Sequence, residues 1–351
     1  MTSGPVSRLI VRAPNWLGDA VMALPALAAV RRTFEARTLV LAAPGPVAAI
    51  FAERTPAAPD EILTIDRDRE LEQLRAARGD ALLLLTNSFG SAWIARRSRI
   101  PERWGYRAAG RGFLLTRGVP RPKGKVHQIE YYLALARGLG IAVPELAEAR
   151  PELQPTPAAY ARADALLAAA GVDPAATIVG FAPGAAYGQA KRWPPNRVAQ
   201  VIAALANAGV TSVLVGARDD RPAARAIEST LPPGTRVVDL IGRTSVRELI
   251  GVVARCAAFV SNDSGAMHVA AALGVPLTAI FGPTDERATA PAGNADVIRR
   301  DVFCRPCMLR DCPIDHRCMK RIDVESVLTS VTDHLRSRRP PSLALRRPGR
   351  A

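Results

Sequence analysis

The chain has 351 residues, 48% of them hydrophobic and 23% charged; this excludes wholesale disorder and leaves room for about two domains. Its formal net charge is +15, and since only Lys123, Lys125, Lys191 and Lys320 are lysines, the excess is carried by arginine. Either the codon bias of a GC-rich genome or an anionic partner, which guanidinium groups grip bidentately, accounts for it.

No basic segment followed by an apolar core opens the chain, so a cytoplasmic location is expected. Residues 8–13 read as a short apolar strand, followed by a glycine-containing loop and a helix reaching about Arg32, which Pro25 kinks or resets. Further strands are expected at 38–42, 61–65 and 81–86, with helix-compatible stretches between them and a helix at 126–139. Such alternation means right-handed βαβ units and a parallel sheet. Residues 141–157 are rich in proline and acids and carry no strand pattern, which marks a linker. The second half alternates again, with strands at 177–182, 211–215, 237–240, 257–261 and 275–281. Its helices are expected at 196–208, after Asp220, and at 245–256, 264–273 and 323–335. The longest uncharged stretch, 264–284, is interrupted by Gly265, Gly274, Pro276, Gly282 and Pro283, so it reads as a helix and a strand and not as a membrane span.

The expected fold class is therefore α/β: two Rossmann-like, doubly wound domains facing across a cleft, at 1–156 and 157–335. A basic tail, 336–351, carries Arg336, Arg338, Arg339, Arg346, Arg347 and Arg350 with no acid and is expected to be disordered.

Five loops carry candidate chemistry. Asn15-Trp16-Leu17-Gly18-Asp19 follows the first strand, where an open α/β sheet faces its ligand crevice; Asp19 reads equally as a helix cap and as a catalytic carboxylate. Gly184-Ala185-Ala186-Tyr187-Gly188-Gln189-Ala190-Lys191-Arg192 lies between a strand and a helix. Its glycines allow close approach to a phosphate and Lys191 offers a point charge, although the Gly-Lys-Ser/Thr ending of a Walker A loop is absent. Asn262-Asp263-Ser264-Gly265 ends a strand at a helix start, presenting N–H groups and a hydroxyl to an anion or sugar. Asp263 would repel phosphate and suits a sugar hydroxyl, and His268, one turn on, is either packed or a ligand. Asp219 and Asp220 close another strand-end loop, as ribose acceptors or helix caps. Cys304, Cys307, Cys312 and Cys318, with His316 among them, are dense enough for a metal site but match no standard zinc spacing. Reduced thiols packing an irregular loop is the reading preferred, and Cys256 is a small core residue.

Taken together, these motifs resemble the heptosyltransferases of lipopolysaccharide core assembly, in glycosyltransferase family nine, over nearly the whole chain. The resemblance rests on Asn15 to Asp19 with Leu24-Pro25-Ala26, on Pro183-Gly184 through Lys191-Arg192-Trp193-Pro194, and on Ser261 to Gly265 with His268. Phe281-Gly282-Pro283-Thr284 and the cysteine run complete it. Gly184 to Trp193 and the cysteines look more like the second core heptosyltransferase than the first; another family-nine transferase acting on a different core acceptor is the alternative. The resemblance implies a GT-B fold and inverting transfer from ADP-heptose to an anionic, lipid-linked core oligosaccharide, without cofactor or catalytic metal, at the anionic inner membrane. It also implies roles. Asp19, beside Gly18, is the general base toward a hydroxyl of the first heptose, and Lys191 neutralises the departing ADP. Ser264-Gly265 holds the pyrophosphate, Asp263 the heptose hydroxyls, and Gly184, Ala185, Arg192, Asp220 and His268 complete the substrate contacts. At Ala185 and Ala186 some relatives have hydroxyl or acidic residues, so only backbone groups remain there. Nucleic acid is not an expected partner: aromatic residues are only 5% and no binding module is recognisable. An epimerase or dehydrogenase reading would need the Gly-x-Gly-x-x-Gly fingerprint or a Tyr-x-x-x-Lys pair, and neither is expected here.

Overall fold

The computed structural model describes residues 6–337. The first sheet comprises β1 (Arg8–Arg12), β2 (Thr38–Pro44), β3 (Glu61–Ile65), β4 (Ala81–Leu84), β5 (Glu102–Tyr106) and β6 (Arg117–Val119). The second comprises β7 (Ile178–Ala182), β8 (Thr211–Leu214), β9 (Val238–Asp239), β10 (Ala258–Asn262), β11 (Leu277–Phe281) and β12 (Ala295–Arg299). Both are wholly parallel, in the orders β3-β2-β1-β4-β5-β6 and β12-β11-β10-β7-β8-β9. The two halves thus repeat one topology. In each, the chain winds outward from a central strand, returns to that strand's other side, and winds outward again.

Burial explains the central strands. Leu9, Ile10 and Val11 of β1, and Val179 and Phe181 of β7, are almost wholly buried because helices cover both faces, so these strands read as continuous apolar runs. The strands the sequence reading missed lie toward the outside: β5 and β6 in the first sheet and β12 at the edge of the second. Their sequences, ERWGY, RGV and ADVIR, mix charge and glycine into short runs, and no apolar period marks them.

The proline effect is as expected: the first helical stretch divides into Leu17–Met22 and Leu24–Thr33, with Pro25 in the first turn of the second. The linker requires a correction at its end, because a helix, Pro157–Ala169, starts where it stops, capped by Thr156. The linker also ties the halves: Thr156 N–H donates to Glu53 at 2.6 Å and Leu153 N–H to the Ala272 carbonyl at 2.9 Å. The last helix, Val324–Ser337, takes in Arg336 and Ser337, assigned above to the tail; the rest of the tail lies outside the described residues. No helix among the described residues is long and apolar enough to cross a membrane.

Candidate active site

In a doubly wound sheet the ligand crevice opens where the winding reverses, beyond the carboxyl ends of the strands. Those points lie between β1 and β4 and between β7 and β10. The loops after β1, β7 and β10 are the ones that carry Asp19, Gly184 to Arg192, and Asp263 to Gly265.

Across the interface, the Leu17–Met22 helix meets the Gly265–Ala272 helix start to start. A Cβ placed on Gly18 would lie 2.8 Å from His268 Cδ2, and one on Gly265 would lie 3.0 Å from Leu17 Cβ. Glycine at both positions therefore permits the contact. His268 is buried against it, and burial lowers its pKa to about 4, so the ring is neutral at pH 7. Of its two readings, the geometry realises the packed one.

The helix cap at this point is Trp16, with no side-chain hydrogen bond, and Asp19 lies within the first turn; the cap reading of Asp19 is not realised. Its carboxylate has no hydrogen-bond partner among the described residues. Burial raises its pKa to about 6, against a smaller downward pull from the Lys191 charge. The phenol of buried Tyr132, whose own pKa is pushed well up by burial and then by the Asp19 charge, lies within its field.

Lys191 is engaged. Its Nζ donates to Asp263 Oδ2 at 2.6 Å, and the Thr284 hydroxyl donates to the same oxygen at 2.7 Å. Lys191 also stands over the Tyr187 ring, 4.9 Å from its centroid. Contrary to the expectation from sequence, a Tyr-x-x-x-Lys pair is present: Tyr187 and Lys191 have the spacing found in some reductases. Here they bracket an irregular loop that ends in a single 3₁₀ turn, so the spacing does not project both from one helix face. Asn262 fixes the loop from below, accepting from Trp193 N–H at 3.2 Å and donating to the Pro183 carbonyl at 2.7 Å.

Asp220 is engaged likewise. It accepts from Arg192 at 3.1 Å and from Ala217 N–H at 3.1 Å, and it stands at the start of the Arg221–Glu228 helix without a side-chain hydrogen bond into that helix. Burial is the main cause of its raised pKa. A Cβ on Gly184 would fall 2.0 Å from Asp220 Cγ, which is why that position is glycine.

Gly18, Gly184, Ala185, Asp220, Ser264 and Gly265 line one cleft of about 1020 Å³ between the halves. Arg192 faces a separate cavity of about 870 Å³ and reaches the cleft through Asp220. Ser264 caps its helix without a side-chain hydrogen bond to it, so the first N–H groups of that helix remain directed toward the cleft. A second cleft, about 1200 Å³, lies in the first half and includes Arg12, Asn15, Glu70, Thr86 and Ser88 in its lining. There Arg12 pairs with buried Glu70 at 2.7 Å and reaches Asn15 at 2.9 Å, while the buried Thr86 hydroxyl lacks a partner. Arg12, Glu70 and Thr86 were missed from sequence, and Thr284, although part of the Phe281–Thr284 motif, was given no role there. Arg12 alone left a signal, as a charge at the end of an apolar strand.

The cysteines share the lining of a small cavity of about 330 Å³ with His316. Among the described residues, no three His, Cys, Asp or Glu side chains are arranged to hold a metal ion. His316 Nε2 lies 2.9 Å from the Ala190 carbonyl, so this loop buttresses the Lys191 loop.

Comparison with known proteins fits this geometry. Residues 67–317 match the family Glycosyltransferase family 9 (heptosyltransferase). The chain is 34% identical over 229 residues to lipooligosaccharide heptosyltransferase 2 of Haemophilus influenzae, covering 63% of this chain and 65% of that one. It is 32% identical over 305 residues to lipopolysaccharide heptosyltransferase 2 of Salmonella typhimurium, covering 83% and 88%. The solved structure of Escherichia coli ADP-heptose LPS heptosyltransferase II superposes with a TM-score of 0.81 at 28% identity, over 94% of this chain and 99% of that chain. The two parallel sheets are accordingly the two halves of a GT-B glycosyltransferase, and the chain belongs to glycosyltransferase family 9, the heptosyltransferases.

Proposed function

We propose that the protein transfers L-glycero-D-manno-heptose from ADP-heptose to the first heptose of the lipopolysaccharide inner core, with inversion. One observation carries the mechanism: Asp19 is a half-buried carboxylate with a pKa of about 6 and no hydrogen-bond partner among the described residues, in the first helical turn after the loop whose residues line both clefts. It is ionised at pH 7 and free to take a proton.

ADP-heptose occupies the cleft between the halves, its pyrophosphate against the N–H groups at Ser264-Gly265. The acceptor enters from the first-half cleft. As its hydroxyl oxygen attacks the anomeric carbon, Asp19 takes the hydroxyl proton. The bond from that carbon to the ADP oxygen breaks, and its electron pair leaves with ADP. Lys191 and the helix start meet the negative charge that develops there. Lys191 is drawn from its pair with Asp263, which is then available to the heptose hydroxyls. The same reading puts the protein at the cytoplasmic face of the inner membrane, where its acceptor is anchored.

The test is an assay of purified protein with ADP-heptose and two defined acceptors, one bearing a single heptose and one bearing only Kdo. Transfer to the heptose-bearing acceptor is expected. Transfer only to the Kdo acceptor would overturn the choice of acceptor, and no transfer to either would overturn the activity.

A further inference from the structure

The helix Phe89–Arg97 turns one face into the first-half cleft, through Gly90, Ser91 and Ile94. Its other face exposes two large rings at helical spacing, Phe89 at 44% and Trp93 at 46%. Phe113, on the short turn Gly112–Leu114, is 74% exposed and joins them. The ring centroids of Phe89 and Trp93 are 6.4 Å apart, and those of Phe89 and Phe113 are 6.2 Å apart. Three clustered, exposed aromatics on the lip of a cleft mark an interaction surface.

The charge around them identifies the partner. Residues 88–125 contain ten Arg or Lys and one acid, a net +9 of the chain's +15. With the six arginines from Arg336 onward set aside, this segment carries the whole net charge of the protein. Eight of its cations are exposed: Arg96, Arg97, Arg99, Arg107, Arg117, Arg121, Lys123 and Lys125. Among the described residues, only Lys125 of these has a carboxylate within salt-bridge distance, Asp285 at 3.8 Å. Arg107 lies alongside the turn that bears Phe113, since a Cβ on Gly112 would touch its Cγ at 3.6 Å. Exposed rings in a segment whose exposed cations far outnumber its acids fit the water–lipid boundary of an anionic leaflet, where rings enter the interface and cations meet phosphates.

We propose that this lip, with Phe89, Trp93 and Phe113 at its centre, docks the protein on anionic phospholipid. The inference rests on the reading of a lipid-linked acceptor. It adds the surface that holds the first-half cleft against the bilayer.

The experiment is sedimentation with sucrose-loaded vesicles, either phosphatidylglycerol with phosphatidylethanolamine or phosphatidylcholine alone, at about 0.1 M salt. Wild-type protein, a Trp93→Ser/Phe113→Ser double variant and a chain ending at Ser337 are compared. Wild type is expected to sediment with the anionic vesicles only, and the double variant to lose at least about tenfold in apparent affinity. The shortened chain is expected to lose less than the double variant. Wild-type binding by the double variant, loss of binding in the shortened chain alone, or equal binding to neutral vesicles would each overturn the proposal. Turnover on a soluble acceptor is measured on the same preparations and should be unchanged in the double variant; a collapse would assign the rings to the acceptor site instead. Docking without turnover in wild type would sink the transfer reading and leave the docking surface standing.

Discussion

Asp19 in the first half and Asp263 and Asp220 in the second all lie just beyond the carboxyl ends of strands of the parallel sheets, yet their surroundings are opposite. Asp263 is met by Lys191 and Thr284, and Asp220 by Arg192 and a backbone N–H. Asp19 is half-buried and has no hydrogen bond among the described residues. A carboxylate partly withdrawn from water and left without partners costs stability, and folds retain such costs chiefly where chemistry needs them. The second half therefore uses its acids to set the positions of a cation and a loop, and the first half leaves one acid without a hydrogen-bond partner among the described residues.

Asp19→Asn tests that contrast most sharply. The amide keeps the shape and cannot accept the proton, so turnover should fall at least about a hundredfold while ADP affinity stays within error. A variant with more than a tenth of wild-type turnover would remove Asp19 as the base. The same change should leave the melting temperature at pH 7 equal or higher. In the folded protein Asp19 holds its proton up to about pH 6, against an ordinary value of 3.8, so its penalty grows between those values and is complete above them.

Next in size is the pH dependence of kcat/KM, expected to rise through about pH 6 as Asp19 ionises and to lie about tenfold lower one unit below that. Stability must be followed in parallel, because His268 acts in the same window with the opposite sign. Its pKa of about 4, below the ordinary 6.5, means that stability is lost as pH falls from 6.5 toward 4. A flat rate profile over a folded protein would break the assignment.

Lys191→Ala should behave unlike the change at Asp19. It leaves Asp263 buried with only Thr284, at a cost of about 1–3 kcal/mol, and weakens ADP binding along with turnover. An unchanged melting temperature would show that the pair does not stabilise the loop. Gly184→Ala should cost about 1–3 kcal/mol by forcing Asp220 aside, visible as a lower denaturation midpoint. The smallest effect is expected at the cysteine loop. Metal analysis of purified protein should find less than about half an equivalent of zinc, and one tightly held equivalent would overturn the reading of reduced, packing thiols.

Much of this was legible in the sequence because central strands are apolar throughout and glycine loops interrupt them sharply. Leu9-Ile10-Val11 announced β1, and the loops at Gly18, Gly184 and Gly265 announced the crevice. The outer strands were not legible: β5 and β6 include Arg103 and Arg117 on partly exposed surfaces, where apolar periodicity is not required. Pairing was equally hidden. Nothing local indicates that Lys191 reaches Asp263, 72 positions away, or that Arg12 reaches Glu70. Three-dimensional proximity decided which acids were engaged and which one was left free.

The start-to-start contact of the two helices also bears on how this enzyme can be recombined. Because Gly18 answers to His268 and Gly265 answers to Leu17, neither half carries its share of the interface alone. A chimera that joins the first half of this chain to the second half of a relative inherits a working seam only when the residues at both ends of each pairing match in size. Swapping halves among relatives is thus governed by four positions at the seam as much as by the clefts themselves.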